Sequence, residues 1–216
     1  MEIMELVRRS KVIAILRGVK GQSLLRFAQA LYDGGLSMIE ITFDQSRPDS
    51  WNETAQAIEL IRSRFENKVW VGAGTVLTES QVDLAHSAGS RYIISPNVNP
   101  GVIQRTREKG MCAFPGAATA TEVVAAHEYG ANAVKIFPAS ALGAGYIKAL
   151  RAPLSHIEML AVGGINPDNA AQFLSAGAIG LGVGGSLTRR ELIERGDFEA
   201  ITRMAEQYVK AVNSNG

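Results

Sequence analysis

The chain has 216 residues, 46% hydrophobic and 20% charged, with a formal net charge of +1, and is long enough for one substantial core. A near-neutral balance with no basic run, and no aromatic residues set among Lys and Arg, argues against a nucleic-acid partner. Apolar segments fall short of the roughly 20 residues that cross a bilayer, the acidic start Met1-Glu2-Ile3-Met4-Glu5 lacks a signal-peptide pattern, and the lone Cys112 excludes an internal disulfide or multi-thiolate metal site.

In chain order, Glu2 to Ser10 reads as a short amphipathic helix with Ile3, Leu6 and Val7 on one face. Val12 to Leu16 is a continuous apolar run of strand length, closed by Arg17-Gly18. Ser23 stands where an N-cap would, ahead of Leu24, Leu25, Phe27, Ala28 and Leu31 at helical spacing, and Gly34-Gly35 stops the helix. This strand, helix and glycine stop then recur. Strand-like runs start at Met38, Val69, Tyr92, Cys112, Ala133, Ile157 and Ile179. Helical patterns follow over Trp51 to Phe65, from Thr78 to a stop at Gly89, over Pro100 to Lys109, Thr121 to Tyr129 and Gly145 to Leu150, and from an Asn166 or Asp168 cap to Gly177. Phe198 to Val212 is a last amphipathic helix.

About eight strand-then-helix units with short connections imply a parallel sheet covered by helices, whose strands read as unbroken apolar runs. That count in one domain over residues 1–216 fits a compact (β/α)8 TIM barrel with a short N-terminal helix. A doubly wound open sheet is the alternative, but Leu16-Arg17-Gly18-Val19 supplies no glycine-rich turn after the first strand.

Chemistry in such a barrel stands at the carboxyl ends of the strands. Those ends carry Arg17, Glu40 with Thr42, Thr75, Ser95-Pro96, Pro115-Gly116, Lys135 with Phe137, and the pairs Gly163-Gly164 and Gly184-Gly185 followed by Ser186. Alternation puts Ala133, Lys135 and Phe137 on one strand face, with apolar flanks that leave the amine little water. An ammonium there costs several kcal/mol unless it is paired or loses its proton. Lys135 is either a nucleophilic amine able to form a Schiff base or a structural ion-pair partner. Glu40, between Ile39 and Ile41, is a second interior charge, and a buried ion pair is by itself weak evidence for stability.

Glycines after the last two strands let backbone N–H groups approach an anion, and a short helix starting near Ser186 would add its positive end; tight turns alone are the other reading. Arg17 fits a rim salt bridge or a ligand. His86, His127 and His156 show no metal-binding spacing, so no metal site is expected. Cys112, beside Met111, Ala113 and Phe114, reads as a small buried hydrophobe.

On Ala14-Ile15-Leu16-Arg17-Gly18, Ile39-Glu40-Ile41-Thr42, Val71-Gly72-Ala73-Gly74-Thr75-Val76, Ile94-Ser95-Pro96-Asn97, Val134-Lys135-Ile136-Phe137-Pro138-Ala139 and the two glycine turns, the chain resembles the 2-keto-3-deoxy-6-phosphogluconate (KDPG) and 4-hydroxy-2-oxoglutarate (KHG) aldolase family over nearly its whole length. The resemblance implies a class I aldolase, a homotrimer, that cleaves KDPG to pyruvate and glyceraldehyde 3-phosphate without a metal or cofactor, and extends to KHG; a cytoplasmic location is the expectation from the lack of a membrane segment or signal pattern. It assigns Lys135 as the Schiff-base lysine and Glu40 as the proton-shuttling carboxylate. Arg17 and Thr75 would bind the pyruvyl carboxylate, Pro96 and Phe137 would pack on its methyl, and Gly163, Gly164, Gly185 and Ser186 would hold the phosphate.

Two departures bear on the substrate. Thr42-Phe43-Asp44-Gln45 lacks the arginine that many phosphogluconate enzymes carry after the glutamate, and Ala161-Val162-Gly163-Gly164 stands where that branch often reads Pro-Thr-Gly-Gly. Val162, with Tyr146-Ile147-Lys148-Ala149-Leu150, is similar to the 6-phosphogalactonate branch, so the C4 epimer stays open. A metal-free isomerase or decarboxylase with Lys135 as an electrostatic clamp, and a non-catalytic sugar-phosphate sensor, are the rival classes.

Overall fold

In the computed structural model, which describes residues 2–214, the run Val12–Leu16 forms β1, buried over its whole length because strands flank both its edges. Before it lies α1 (Ile3–Ser10). After it come α2 (Gly21–Asp33), β2 (Met38–Thr42), α3 (Trp51–Arg64), β3 (Trp70–Gly74), α4 (Glu79–Ser87), β4 (Tyr92–Ile94) and α5 (Pro100–Glu108). The second half holds β5 (Cys112–Phe114), β6 (Gly116–Ala117), α6 (Ala120–Glu128), β7 (Val134–Ile136), α7 (Ala139–Leu142), α8 (Ala144–Arg151), β8 (Met159–Val162), α9 (Pro167–Ser175), β9 (Gly180–Val183), α10 (Arg190–Arg195) and α11 (Phe198–Asn213).

All neighbours in the sheet are parallel, in the order β5-β4-β3-β2-β1-β9-β8-β7-β6. The two ends of that order are one bent strand. The Cys112 N–H donates to Arg91 and the Phe114 carbonyl accepts from Ser95 on the β4 side, while the carbonyls of Ala113, Pro115 and Ala117 accept from Asn132, Lys135 and Phe137 on the β7 side. Pro115, with no N–H, interrupts the ladder without breaking the path. The sheet thus closes to a barrel, as expected, rather than to the open-sheet alternative.

Two apolar cores result. The outer one fills the space between strands and helices, with Leu24, Phe27, Leu31, Ile58, Ile61 and Phe173 among its members. The inner one lies inside the barrel and joins Ile13, Ile15, Met38, Tyr92, Phe114 and Leu160 to Ile3, Leu6 and Val7 of α1, so the opening helix plugs the amino end. Gly72, Gly74, Gly180 and Gly182 also face inward, where larger neighbours use their space: Leu160 and Val7 reach over Gly180, and Val162 and Ile15 over Gly182.

Most helix starts follow their caps. Thr78, Thr119 and Asn166 each form a capping box, and Asn99 and Asp197 accept from first-turn N–H groups. The Ser23 cap is corrected: α2 already begins at Gly21 with Lys20 at its cap position, so Ser23 lies inside the first turn. Gly72 and Gly74 belong to β3, and Thr75 stands at its carboxyl end. The short α7 and α10 carry no sequence pattern that announced them.

Candidate active site

In β7, Lys135 is paired in register with Gly116 of β6 and Leu160 of β8 and is only 7% exposed. Glu40, mid-strand in β2 and 2% exposed, faces the same interior. Among the described residues no ion pair involves Lys135, Glu40 or Arg17. The Lys135 Nζ instead lies 4.7 Å from the centroid of the Phe137 ring. Glu40 Oε2 is buried with no hydrogen-bond partner among the described residues. A buried polar atom without a partner costs about 1–3 kcal/mol, so it calls for an explanation, and a catalytic role is one.

Burial governs the ionisation of both groups. It raises the Glu40 carboxyl above the ordinary carboxylate range, opposed by the positive charges of Lys135 and Arg17. It lowers the Lys135 amine below the ordinary lysine value, opposed by Glu40 and assisted by Arg17. Desolvation therefore favours a neutral amine beside a carboxyl ready to hold a proton, which is what nucleophilic attack followed by proton transfer requires.

Gly74 makes this arrangement possible. A Cβ on it would lie 1.7 Å from Glu40 Oε1, so the carboxylate occupies the space a side chain would take. One step deeper, a Cβ on Gly72 would lie 2.2 Å from the Tyr92 ring, whose hydroxyl donates to the Ile39 carbonyl at 2.7 Å. Gly72 and Gly74 thus clear two tiers of the barrel, one for Tyr92 and one for Glu40. Glycines two apart within a strand share a face, which is the signal the sequence carries for these two tiers.

The remaining candidates ring the same mouth. Arg17 is exposed at the end of β1, and the rim salt bridge its position left open is not formed. Thr75 follows β3 in a left-handed conformation, φ 53°, with its carbonyl accepting from the Gln45 side-chain amide. Pro96 follows β4, and its main chain would meet a Cβ on Gly116 at 2.5 Å. Phe137 is 37% exposed, and its ring lies against Gly163, where φ is +99° and an added Cβ would approach it to 3.2 Å.

Behind Phe137, the N–H groups of Gly164, Gly185 and Ser186 donate to no protein acceptor among the described residues. Gly164 follows β8, and Gly185 and Ser186 follow β9, so the three stand at the carboxyl ends of neighbouring strands. Two expectations are corrected here. No helix starts near Ser186: Leu187 and Thr188 donate to the Gly184 carbonyl in a turn, and α10 begins only at Arg190. The Gly184-Gly185 pair disfavours helix by about 1 kcal/mol per residue relative to alanine. The Ser186 hydroxyl is also committed, bonding to the Ile165 carbonyl at 2.8 Å and to the Tyr208 hydroxyl at 2.7 Å, which leaves the backbone N–H to meet an anion.

Other features lie elsewhere. A cavity of about 960 Å3 opens at the amino end of the barrel, lined by Trp70, Arg91 and Cys112. Cys112 is half-buried there, and burial raises its thiol pKa. His127 and His156 meet edge to face at 5.3 Å on the surface, a pairing in space that their sequence spacing hides.

The architecture and this mouth define a β/α barrel that buries an amine and a carboxyl in its interior. The family model for KDPG and KHG aldolase matches residues 3–204. The chain is 42% identical over 202 residues to 2-dehydro-3-deoxy-6-phosphogalactonate aldolase of Escherichia coli (strain K12), covering 93% of each chain. It is 34% identical over 212 residues to 2-dehydro-3-deoxy-phosphogluconate aldolase of Treponema pallidum (strain Nichols), covering 97% of each. Among solved structures, KDPG aldolase from Legionella pneumophila, with pyruvate captured at low pH as a covalent carbinolamine intermediate, matches with a TM-score of 0.84 at 26% identity over 95% of this chain and 97% of that one. The chain belongs to the KDPG and KHG aldolase family and is an aldolase, a carbon–carbon lyase.

Proposed function

We propose that the chain, as a single catalytic domain, cleaves a 6-phosphorylated 2-keto-3-deoxy sugar acid to pyruvate and glyceraldehyde 3-phosphate by a class I mechanism. The observation that carries this reading is the unpaired interior couple of Lys135 and Glu40, each pushed toward its neutral form. At pH 7 an unperturbed lysine is neutral in roughly one molecule in 2,500, and lowering the pKa to about 7 makes half of them nucleophilic.

Lys135 Nζ attacks the C2 carbonyl; Glu40 gives its proton to the carbinolamine hydroxyl, which leaves as water, and an iminium and the Glu40 carboxylate remain. Glu40 takes the proton of the C4 hydroxyl, the C4–O bond becomes a carbonyl, and the C3–C4 electrons pass to the iminium nitrogen. Glyceraldehyde 3-phosphate leaves. Glu40 returns its proton to C3 of the enamine, and hydrolysis releases pyruvate and the free amine. Arg17 and Thr75 hold the carboxylate, Pro96 and Phe137 wall the pyruvyl methyl, and the N–H groups at Gly163, Gly164, Gly185 and Ser186 receive the phosphate. No cofactor is required, because Lys135 is the electrophile's source and Glu40 moves every proton.

Of the two C4 epimers, the galactonate form is favoured. The phosphogalactonate enzyme is 42% identical to this chain and the phosphogluconate enzyme 34%, and Val162 puts no hydroxyl at the end of β8. KDPG remains a substrate in this reading, as does unphosphorylated KHG at lower kcat/KM. A homotrimer follows from the family resemblance and a cytoplasmic location from the sequence expectation, and sedimentation analysis reads the oligomer directly. The deciding experiment is the kcat/KM ratio on the two epimers and on KHG. A ratio above one for the galactonate form supports the assignment, and a ratio below one reverses it.

A further inference from the structure

We infer that Gln45 and Gln81 are positioning residues for the substrate's carboxylate, acting together as a side-chain amide relay that holds the main chain of Thr75 in its left-handed conformation. The inference rests on the reading of Thr75 as a carboxylate ligand.

Among the described residues three non-glycine positions have positive φ: Lys11, Asn67 and Thr75. Lys11 is the C-cap of α1 and Asn67 sits in a surface turn, where such a conformation is ordinary. Thr75 is β-branched, strained in that region, and stands at the mouth of the site. Such a conformation persists only where its surroundings impose it.

The surroundings are two glutamines. Gln81, fully buried at the start of α4, accepts through Oε1 from the N–H groups of Leu77 at 2.8 Å and Thr78 at 3.2 Å. Two backbone donors on one oxygen fix which way that amide faces, so its Nε2 must donate, and it does so to Gln45 Oε1 at 3.2 Å. With its oxygen occupied, Gln45 turns Nε2 to the Thr75 carbonyl. The relay has one direction, from α4 through the loop after β2 to the end of β3.

The middle of the relay is anchored as well. The Phe43 N–H donates to the Gly74 carbonyl at 2.9 Å, Trp51 Nε1 donates to the Asp44 carbonyl at 3.1 Å, and the Ser46 N–H and hydroxyl donate to the Asp44 carboxylate at 3.0 and 2.6 Å. These bonds stiffen the loop that carries Gln45. The relay ends on the Thr75 carbonyl, and among the described residues no hydrogen bond engages the Thr75 hydroxyl. The segment Thr42-Phe43-Asp44-Gln45, which lacks the expected arginine, thus contributes to carboxylate binding through the backbone of its neighbour.

The test is the pyruvate concentration that half-saturates borohydride trapping on Lys135, measured by mass spectrometry on the full chain. Gln45→Glu keeps the size of the side chain and can still accept from Gln81, but cannot donate to the Thr75 carbonyl. Gln45→Met keeps size and neutrality and does neither. Both variants are expected to need about tenfold more pyruvate, about 1.4 kcal/mol, with the same maximal adduct and a folded far-UV spectrum. Half-saturation within twofold of wild type in both, even with a lowered Tm, overturns the inference and shows a merely structural relay. A shift in Gln45→Glu alone also overturns it, because repulsion of pyruvate by the new charge then suffices. Absence of any adduct in wild type overturns the Schiff-base reading itself, which separates the two failures.

Discussion

Replacing Gly74 by alanine tests the geometry of the site with a single methyl group. The added Cβ would stand 1.7 Å from Glu40 Oε1, 2.4 Å from its Cδ and 2.5 Å from its Cγ, so half the side chain is in the way rather than its tip. Ordinary contact begins near 3.4 Å, which requires the carboxylate to retreat by about 1.5 Å or more into a packed interior. Overpacking of this kind costs about 1–3 kcal/mol. At about 2–4 °C per kcal/mol for a chain of this size, Tm should fall by about 2–12 °C. A displacement of about 1 Å at a reacting group is worth about 100-fold in rate. Steady-state kinetics should therefore show kcat lower by about two orders of magnitude while pyruvate still reaches Lys135 and is trapped by borohydride. A variant with wild-type kcat within twofold would refute the placement of Glu40 over Gly74.

The neighbouring glycines give contrasting outcomes. Gly72→Ala drives a methyl into the Tyr92 ring at 2.2 Å, so stability should fall by at least about 2 kcal/mol in thermal melts, with more soluble protein lost than rate per folded molecule. Gly145→Ala meets nothing within 4 Å on the exposed side of α8; it should raise stability by about 0.5 kcal/mol and leave kcat unchanged, and a loss of stability would contradict the backbone described here. Glu40→Gln should abolish most activity yet melt higher than wild type by an amount that grows with pH. Burial raises this carboxyl's pKa, so below the ordinary carboxylate range both folded and unfolded chains hold the proton; as pH rises through and beyond that range the unfolded chain ionises first and only wild type loses stability. A Tm difference that does not change between about pH 4 and pH 8 would contradict the raised carboxyl.

Much of the fold was legible because the determining interactions are local. Val12–Leu16 reads as a strand from an unbroken apolar run, and Thr78 and Asn166 set helix starts through bonds spanning three residues, whereas the Thr119 cap of α6 stands two residues before the expected start at Thr121. What escaped notice depends on distant partners. Gly72 and Gly74 show their purpose only once Tyr92 and Glu40 are brought over them, and Pro115 looks like a strand end until Lys135 pairs with its carbonyl. Ser186 could be placed at the phosphate-side rim from its position, but not the loss of its hydroxyl to Ile165 and Tyr208, since Tyr208 arrives from the last helix. Lys135 and Glu40 were visible because a charge inside an apolar run is expensive wherever the run goes.

The central claim is that Lys135 forms an imine with the keto group of the substrate. Incubation with pyruvate and borohydride, digestion and mass spectrometry address it directly. The account predicts irreversible inactivation with one reduced pyruvyl group per chain, on Lys135, and none in Lys135→Arg, which keeps the charge but not the nucleophile. Full activity in Lys135→Arg, or an adduct confined to another lysine, would contradict it.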